Sequence, residues 1–144
     1  MKNHVRRDLL LMTMNDPLDR TRLMYACADG DLANAQSFIA AGDDVNIREA
    51  NGWTAMHFAA QLQDAQLATE LMKALYEAGA EIDPQQMHGN TPLHRATFAA
   101  RENGAAILFL LKHGADKSIE NNSGISPLNL AQSVGNFDLV RFFN

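Results

Sequence analysis

Thr91-Pro92-Leu93-His94-Arg95-Ala96 is written four times in this chain, the other copies being Thr21-Arg22-Leu23-Met24-Tyr25-Ala26, Thr54-Ala55-Met56-His57-Phe58-Ala59 and Ser126-Pro127-Leu128-Asn129-Leu130-Ala131. Successive copies begin 33, 37 and 35 residues apart. A second apolar segment follows each copy, and Gly42, Gly79 and Gly114 close that segment 12 residues before the next copy begins. The connectors between units therefore share one length, and the added residues fall inside the units, around Gln61–Thr69 and Phe98–Gly104. A fixed period of this kind marks a stack of like modules, each burying its apolar face against its neighbours.

Every recurring residue has a structural task. Pro92 and Pro127 suit the first turn of a helix, where a missing N–H costs nothing and φ is preset. Thr21, Thr54, Thr91 and Ser126 stand where a hydroxyl caps that helix. Leu23 and Ala26, Met56 and Ala59, Leu93 and Ala96, and Leu128 and Ala131 repeat at i, i+3, a narrow apolar face that allows close stacking. Gly42, Gly79 and Gly114 end the second helix in a left-handed conformation, and Gly52, Gly89 and Gly124 serve the turn into the next unit. The first unit has Asp19 at the turn glycine, a residue that tolerates positive φ better than most, and Arg22 at the proline. In the last unit, Gly135 to Phe143 reads as the start of a second helix ending in an exposed Phe142-Phe143 pair.

The chain resembles the ankyrin repeat, known for a 33-residue period and a T-P-L-H-x-A signature. Gly89-Asn90-Thr91-Pro92-Leu93-His94 with Leu110-Leu111-Lys112-His113-Gly114-Ala115-Asp116 is the fullest copy. The resemblance covers about residues 16–144 and implies an all-α solenoid of helix-turn-helix units joined by short β-hairpin-like loops. The units are expected over 16–48, 49–85, 86–120 and 121–144, the outer two as end caps. In residues 1–15, Val5, Leu9 and Met12 recur at i, i+4, i+7 and predict an amphipathic capping helix, with a membrane-surface or partner-binding helix as the alternative. Lys2, Arg6 and Arg7 before Leu9-Leu10-Leu11-Met12 imitate a secretory signal only loosely, since the apolar run is too short.

Composition narrows the function. The 144 residues are 47% hydrophobic, enough for one continuous core, and no apolar run approaches the ~18 to 20 residues that span a bilayer. Cys27 is the single cysteine, at a small-residue position that matches Ala60, and reads as a buried inert thiol in a reducing, cytoplasmic setting. The net charge is −5, with residues 1–22 carrying +2 and the remainder −7. An acidic body disfavours nucleic acid, whose affinity comes largely from phosphate neutralisation, and suits a protein partner with a basic surface.

The sequence offers no recognised catalytic or cofactor motif. Of the histidines, His57 and His94 occupy equivalent places in successive units, and the resemblance implies that this histidine ties a cap to the neighbouring loop. No phosphate loop, Gly-x-Ser-x-Gly elbow or His-Glu-x-x-His helix is present, and no metal-ligand spacing supports His88 and His94. Thr54, His57, Thr91, Pro92, His94, Gly79 and Gly114 are thus scaffold, with no catalytic residue, metal or cofactor expected.

The resemblance places partner contacts on the hairpin tips and the exposed flank of each first helix. By position these are Arg20, Arg48, Asn51, Trp53, Met87, His88, Asn90 and Ile125 on the hairpins, with Leu62 and Phe98 on the flank. Trp53, the only tryptophan, leads the set because a rigid apolar surface with one donor is favoured at binding hot spots. The inserted segments offer a second face, although Ala65, Leu67, Ala68 and Leu71 would also continue a helix. The reading is a non-catalytic protein-binding module, monomeric when free, of the bacterial type that includes inhibitors and immunity proteins. An enzyme built on His57, His88 and His94, and a piece that self-associates through Phe142 and Phe143, are the alternatives.

Overall fold

The computed structural model describes residues 16–135 and 137–144, so the helix expected over residues 1–15 lies outside it. Seven α-helices follow the repeat register: α1 Arg22–Ala28, α2 Leu32–Ala40, α3 Ala55–Ala60, α4 Ala65–Glu77, α5 Pro92–Ala99, α6 Ala105–Lys112 and α7 Pro127–Ser133, with a 3₁₀ helix at Val140–Phe143. The inner helices α1, α3, α5 and α7 stack in one row, and α2, α4 and α6 stack behind them. Leu23, Met56 and Leu93 from the inner row meet Phe38, Leu71, Leu75, Ile107 and Leu110 from the outer row in one buried core. Ala26, Ala59, Ala96 and Ala131 are fully buried between inner helices, where any longer side chain would push the units apart.

Local chemistry starts each inner helix. The Thr21, Thr91 and Ser126 hydroxyls accept the N–H of Met24, His94 and Asn129 at 3.1, 3.3 and 3.1 Å, and Pro92 and Pro127 occupy the first turn. Arg22, where the first unit lacks proline, instead makes a two-pronged bond to Asp43 at 2.8 and 2.7 Å and lies over the Phe38 ring. Gly42, Gly79 and Gly114 have φ between 94° and 96° after the outer helices, and Asp19 adopts φ 57° in the turn that glycine serves elsewhere.

The connecting loops are tight hairpins held by a device that recurs five residues before each cap. Glu49 Oε1 accepts the N–H of Asn51 and Trp53, Gln86 Oε1 those of His88 and Asn90, and Asn121 Oδ1 those of Ser123 and Ile125. Asp16 Oδ1 accepts from Leu18 in the first unit. Neighbouring hairpins are then laced through backbone bonds from Ala50 to Leu18, Met87 to Asn51 and Asn122 to His88, at 2.6 to 2.9 Å.

The two inserts resolve differently. In the second unit the added residues lengthen the outer helix: α4 has 13 residues where α2 has 9 and α6 has 8, and Asp64 caps it through the Leu67 N–H. In the third unit they form the turn from Ala100 to Gly104. The end of the chain corrects one expectation, because the last unit has a short 3₁₀ turn in place of a second helix. Leu139 and Phe143 are buried and Phe142 is half-buried. Gly104 makes room for the Phe142 ring, whose carbons lie 2.5 Å from where a Cβ would stand. The Phe142-Phe143 pair closes the apolar face left by α6 and α7 and is not an exposed lid.

Candidate interaction surface

The two signature histidines are wholly occupied. Thr54 N–H donates to His57 Nδ1 at 3.1 Å, so Nε2 carries the proton and donates to the Asn90 carbonyl at 2.9 Å in the next unit. His94 repeats this between Thr91, at 3.0 Å, and the Ile125 carbonyl, at 2.9 Å. Burial lowers both imidazoles, His57 to about 4, with Arg48 and Arg95 adding to that shift. Protonating Nδ1 would set two hydrogens against each other at the cap, so these rings stay neutral and serve as rivets between units. Cys27 is likewise buried, its thiol pushed up to about 12 by desolvation. Among the described residues no group of three histidine, cysteine or carboxylate side chains gathers as a metal site.

Outside this scaffold, the variable position of the signature forms a row along the inner helices: Tyr25, Phe58, Arg95 and Leu130. The residue preceding each cap forms a second row: Arg20, Trp53, Asn90 and Ile125. The rows meet at the centre, where the Trp53 ring packs on Phe58 at 4.9 Å and on His57 at 5.6 Å. The Arg95 guanidinium lies 5.1 Å from the Trp53 centroid and 5.2 Å from that of Phe98. Its Nε and Nη2 both donate to Gln61 Oε1, at 3.2 and 2.9 Å. Such a cation held between aromatic faces is a rigid, partly desolvated donor group.

The residues expected to meet a partner separate by exposure. Met87, Phe98 and Ile125 are 56%, 54% and 40% exposed; Ile47 in a loop and Tyr76 and Leu108 on the outer helices are exposed as well, so the place of the first three on the hairpins and inner helices, not exposure alone, sets them apart. Arg48 and His88 are also exposed, Arg48 giving a bond to the Gln85 carbonyl at 3.0 Å. Trp53, Asn51 and Leu62 are half-buried, and Leu62 packs on the core. Arg20 is half-buried in an ion pair with Asp16 at 3.0 Å, over the Tyr25 ring. Asn90 is buried and largely taken up by the scaffold: its carbonyl holds His57 and its Oδ1 accepts from Asn121 at 2.9 Å, which leaves only the side-chain Nδ2 without a partner among the described residues.

Arg95 was missed, although it stands inside the phrase that decides the fold. The signal was available, since its column otherwise holds tyrosine, phenylalanine and leucine, and a charge in an apolar row needs a reason. The turns from inner to outer helix in the second and third units flank a cleft lined by Ala60, Leu62, Ala65, Ala96, Ala100 and Phe137, on the side where the third unit's insert lies. No helix among the described residues is long and apolar enough to cross a membrane.

The comparisons with known proteins agree with this arrangement. A family model of ankyrin repeats, in three copies, matches residues 23–121. A serine/threonine-protein kinase of Arabidopsis thaliana is 35% identical over 94 residues, covering 65% of this chain and 19% of the kinase. An ADP-ribosylation factor GTPase-activating protein of the same plant is 37% identical over 84 residues, 58% of this chain and 10% of that protein. A Rickettsia felis protein named for its ankyrin repeats is 34% identical over 109 residues, 70% of this chain and 47% of the relative. In each case the match spans less than half of the relative's length, and the relatives differ widely in what their names say they do.

Proposed function

Because the chain belongs to the ankyrin-repeat family, we propose that it is a non-catalytic module that binds a protein partner along its hairpins and inner helices, centred on Trp53. Ankyrin repeats are in general protein-interaction modules, so the coarse function follows from membership. The single observation that carries the finer reading is the apolar group Met87, Phe98 and Ile125, exposed beside a half-buried Trp53. A large ring already fixed by Phe58 and Arg95 loses little freedom on binding. Two of the three histidines of the catalytic alternative, His57 and His94, have both ring nitrogens engaged in scaffold bonds, which favours the binding reading.

The test is capture from the native source by the wild type and by a Trp53→Ala, Met87→Ala double variant, each checked for folding by circular dichroism. Loss of the captured protein by the folded double variant is expected. Retention at equal affinity would remove the surface assignment. An inhibitory or immunity role is the narrower form of the proposal, and it requires that the captured protein lose its own activity in the complex.

A further inference from the structure

We propose that Arg95 is a receptor for a carboxylate, so that the partner's contacting segment presents an aspartate or glutamate side chain flanked by an apolar residue. This rests on the surface assignment above and goes beyond it by fixing the chemistry at its centre. Three arginines of the described chain are half-buried: Arg20, Arg22 and Arg95. Arg20 is neutralised by Asp16 at 3.0 Å and Arg22 by Asp43 at 2.7 Å. Arg95 has no carboxylate within ion-pair distance among the described residues, and the oxygen it does meet, Gln61 Oε1, is neutral.

Geometry says which part of the guanidinium is open. Gln61 takes the side edge, Nε and Nη2, and the rings of Trp53 and Phe98 lie near the guanidinium carbon. The Nη1 hydrogens and the second Nη2 hydrogen have no acceptor among the described residues, leaving the end edge with two parallel donors. That spacing matches the two oxygens of a carboxylate. Glu49, the acid closest in sequence to Trp53, is buried and commits Oε1 to the N–H groups of Asn51 and Trp53.

The apolar flank is equally placed. The Met87 N–H bonds the Asn51 carbonyl at 2.8 Å, which sets this exposed side chain on the hairpin adjoining Trp53, and Phe98 lies one turn along α5 from Arg95. The body's net negative charge acts at long range and favours a basic partner surface, whereas Arg95 acts at contact and there selects the opposite sign.

A randomised twelve-residue peptide library displayed on phage and selected on the full chain supplies the probe. Selected peptides are then synthesised with amidated C-termini, so that no terminal carboxylate is present. Enriched sequences are expected to carry Asp or Glu next to an aromatic or aliphatic residue, and to bind the Trp53→Ala, Met87→Ala variant more weakly. Replacing that acid by its amide is expected to weaken binding to wild type by about tenfold or more, and to have little effect on Arg95→Gln. Arg95→Lys, which keeps charge but loses the paired donors, is expected to fall between. The acid-to-amide change alters only the peptide, so its effect on wild type is independent of how the protein variants fold. Peptides that need Trp53 and Met87 but tolerate the amide would overturn the carboxylate assignment and leave the surface standing. Peptides indifferent to all these variants, or no selection at all, would overturn both.

Discussion

At the residue scale, one atom decides what each signature histidine can do. Nδ1 of His57 receives a backbone N–H, so a second proton has no room, and a ring at a place that suggests catalysis becomes a joint between units. The consequence is a pH dependence with a definite sign. His57 is held at about 4 in the folded chain against 6.5 when free, so the unfolded chain binds the proton first. Stability should be full above pH 6.5 and fall by about 3 kcal/mol as pH drops through that window. His94, lowered for the same reason, adds to the loss, while Asp83, raised by burial, works in the opposite sense. Thermal unfolding followed from pH 7.5 to 4.5 checks this, and His57→Asn, which copies Asn129 of the last unit, should flatten the profile. The hairpin acceptor makes a second point. Gln86 and Asn121 perform without charge the task of Glu49, so Glu49→Gln should be nearly neutral in urea denaturation. Glu49→Leu, which leaves two N–H groups unpaired, should cost about 1 to 3 kcal/mol.

At the scale of elements, helix beginnings and ends were legible because they depend on neighbours in sequence: a hydroxyl three residues from an N–H, a proline at the first turn, a glycine after the last. The fates of the two inserts were less so. Asp64 with a run of good helix formers turned four extra residues into more of α4, whereas Ala100 to Gly104 stayed a turn, with Asn103 Oδ1 accepting the Ala105 N–H and Gly104 leaving room for the Phe142 ring. Similar reasoning separates glycines that share a conformation. Gly89 and Gly124 have φ of 82° and 75°, but a Cβ on Gly89 would meet the Asn122 backbone nitrogen at 2.7 Å while one on Gly124 meets nothing within 4 Å. Both alanine variants bear a left-handed backbone cost of about 1 to 2 kcal/mol. Gly89→Ala should lose about 1 to 3 kcal/mol more, because it forces adjacent hairpins apart. Equal losses in chemical denaturation would show that the hairpin stack yields freely.

At the scale of the whole molecule, stability is shared between neighbours and is therefore uneven. The helices α3 to α6 are packed by units on both sides, whereas α7 has α5 before it and a short 3₁₀ turn after it. In a stack of nearest-neighbour interfaces the end unit opens first. Hydrogen exchange should show the amides of α4 and α6 most protected and those of α7 and residues 140–143 least. Uniform protection would mean that the four units unfold as one. The same uneven distribution bears on binding, since Met87 and Phe98 sit on the third unit, which is packed on both sides, whereas Ile125 sits on the last.

The repeat, its register, the caps and the turns could be taken from the sequence, because they follow from short-range rules repeated at a fixed period, and the tie that His57 and His94 make to the next loop was implied by the resemblance to ankyrin repeats. Asp19 at a glycine position, now seen at φ 57°, belongs with them. What the tertiary structure decided were the relations between units. It buried Asn90 beneath the next hairpin, turned Phe142 and Phe143 inward, and set Arg95 between Trp53 and Phe98 with no acid beside it among the described residues. These outcomes depend on which side chains from different repeats meet across the stack, and residues more than 30 positions apart meet only once the chain has folded.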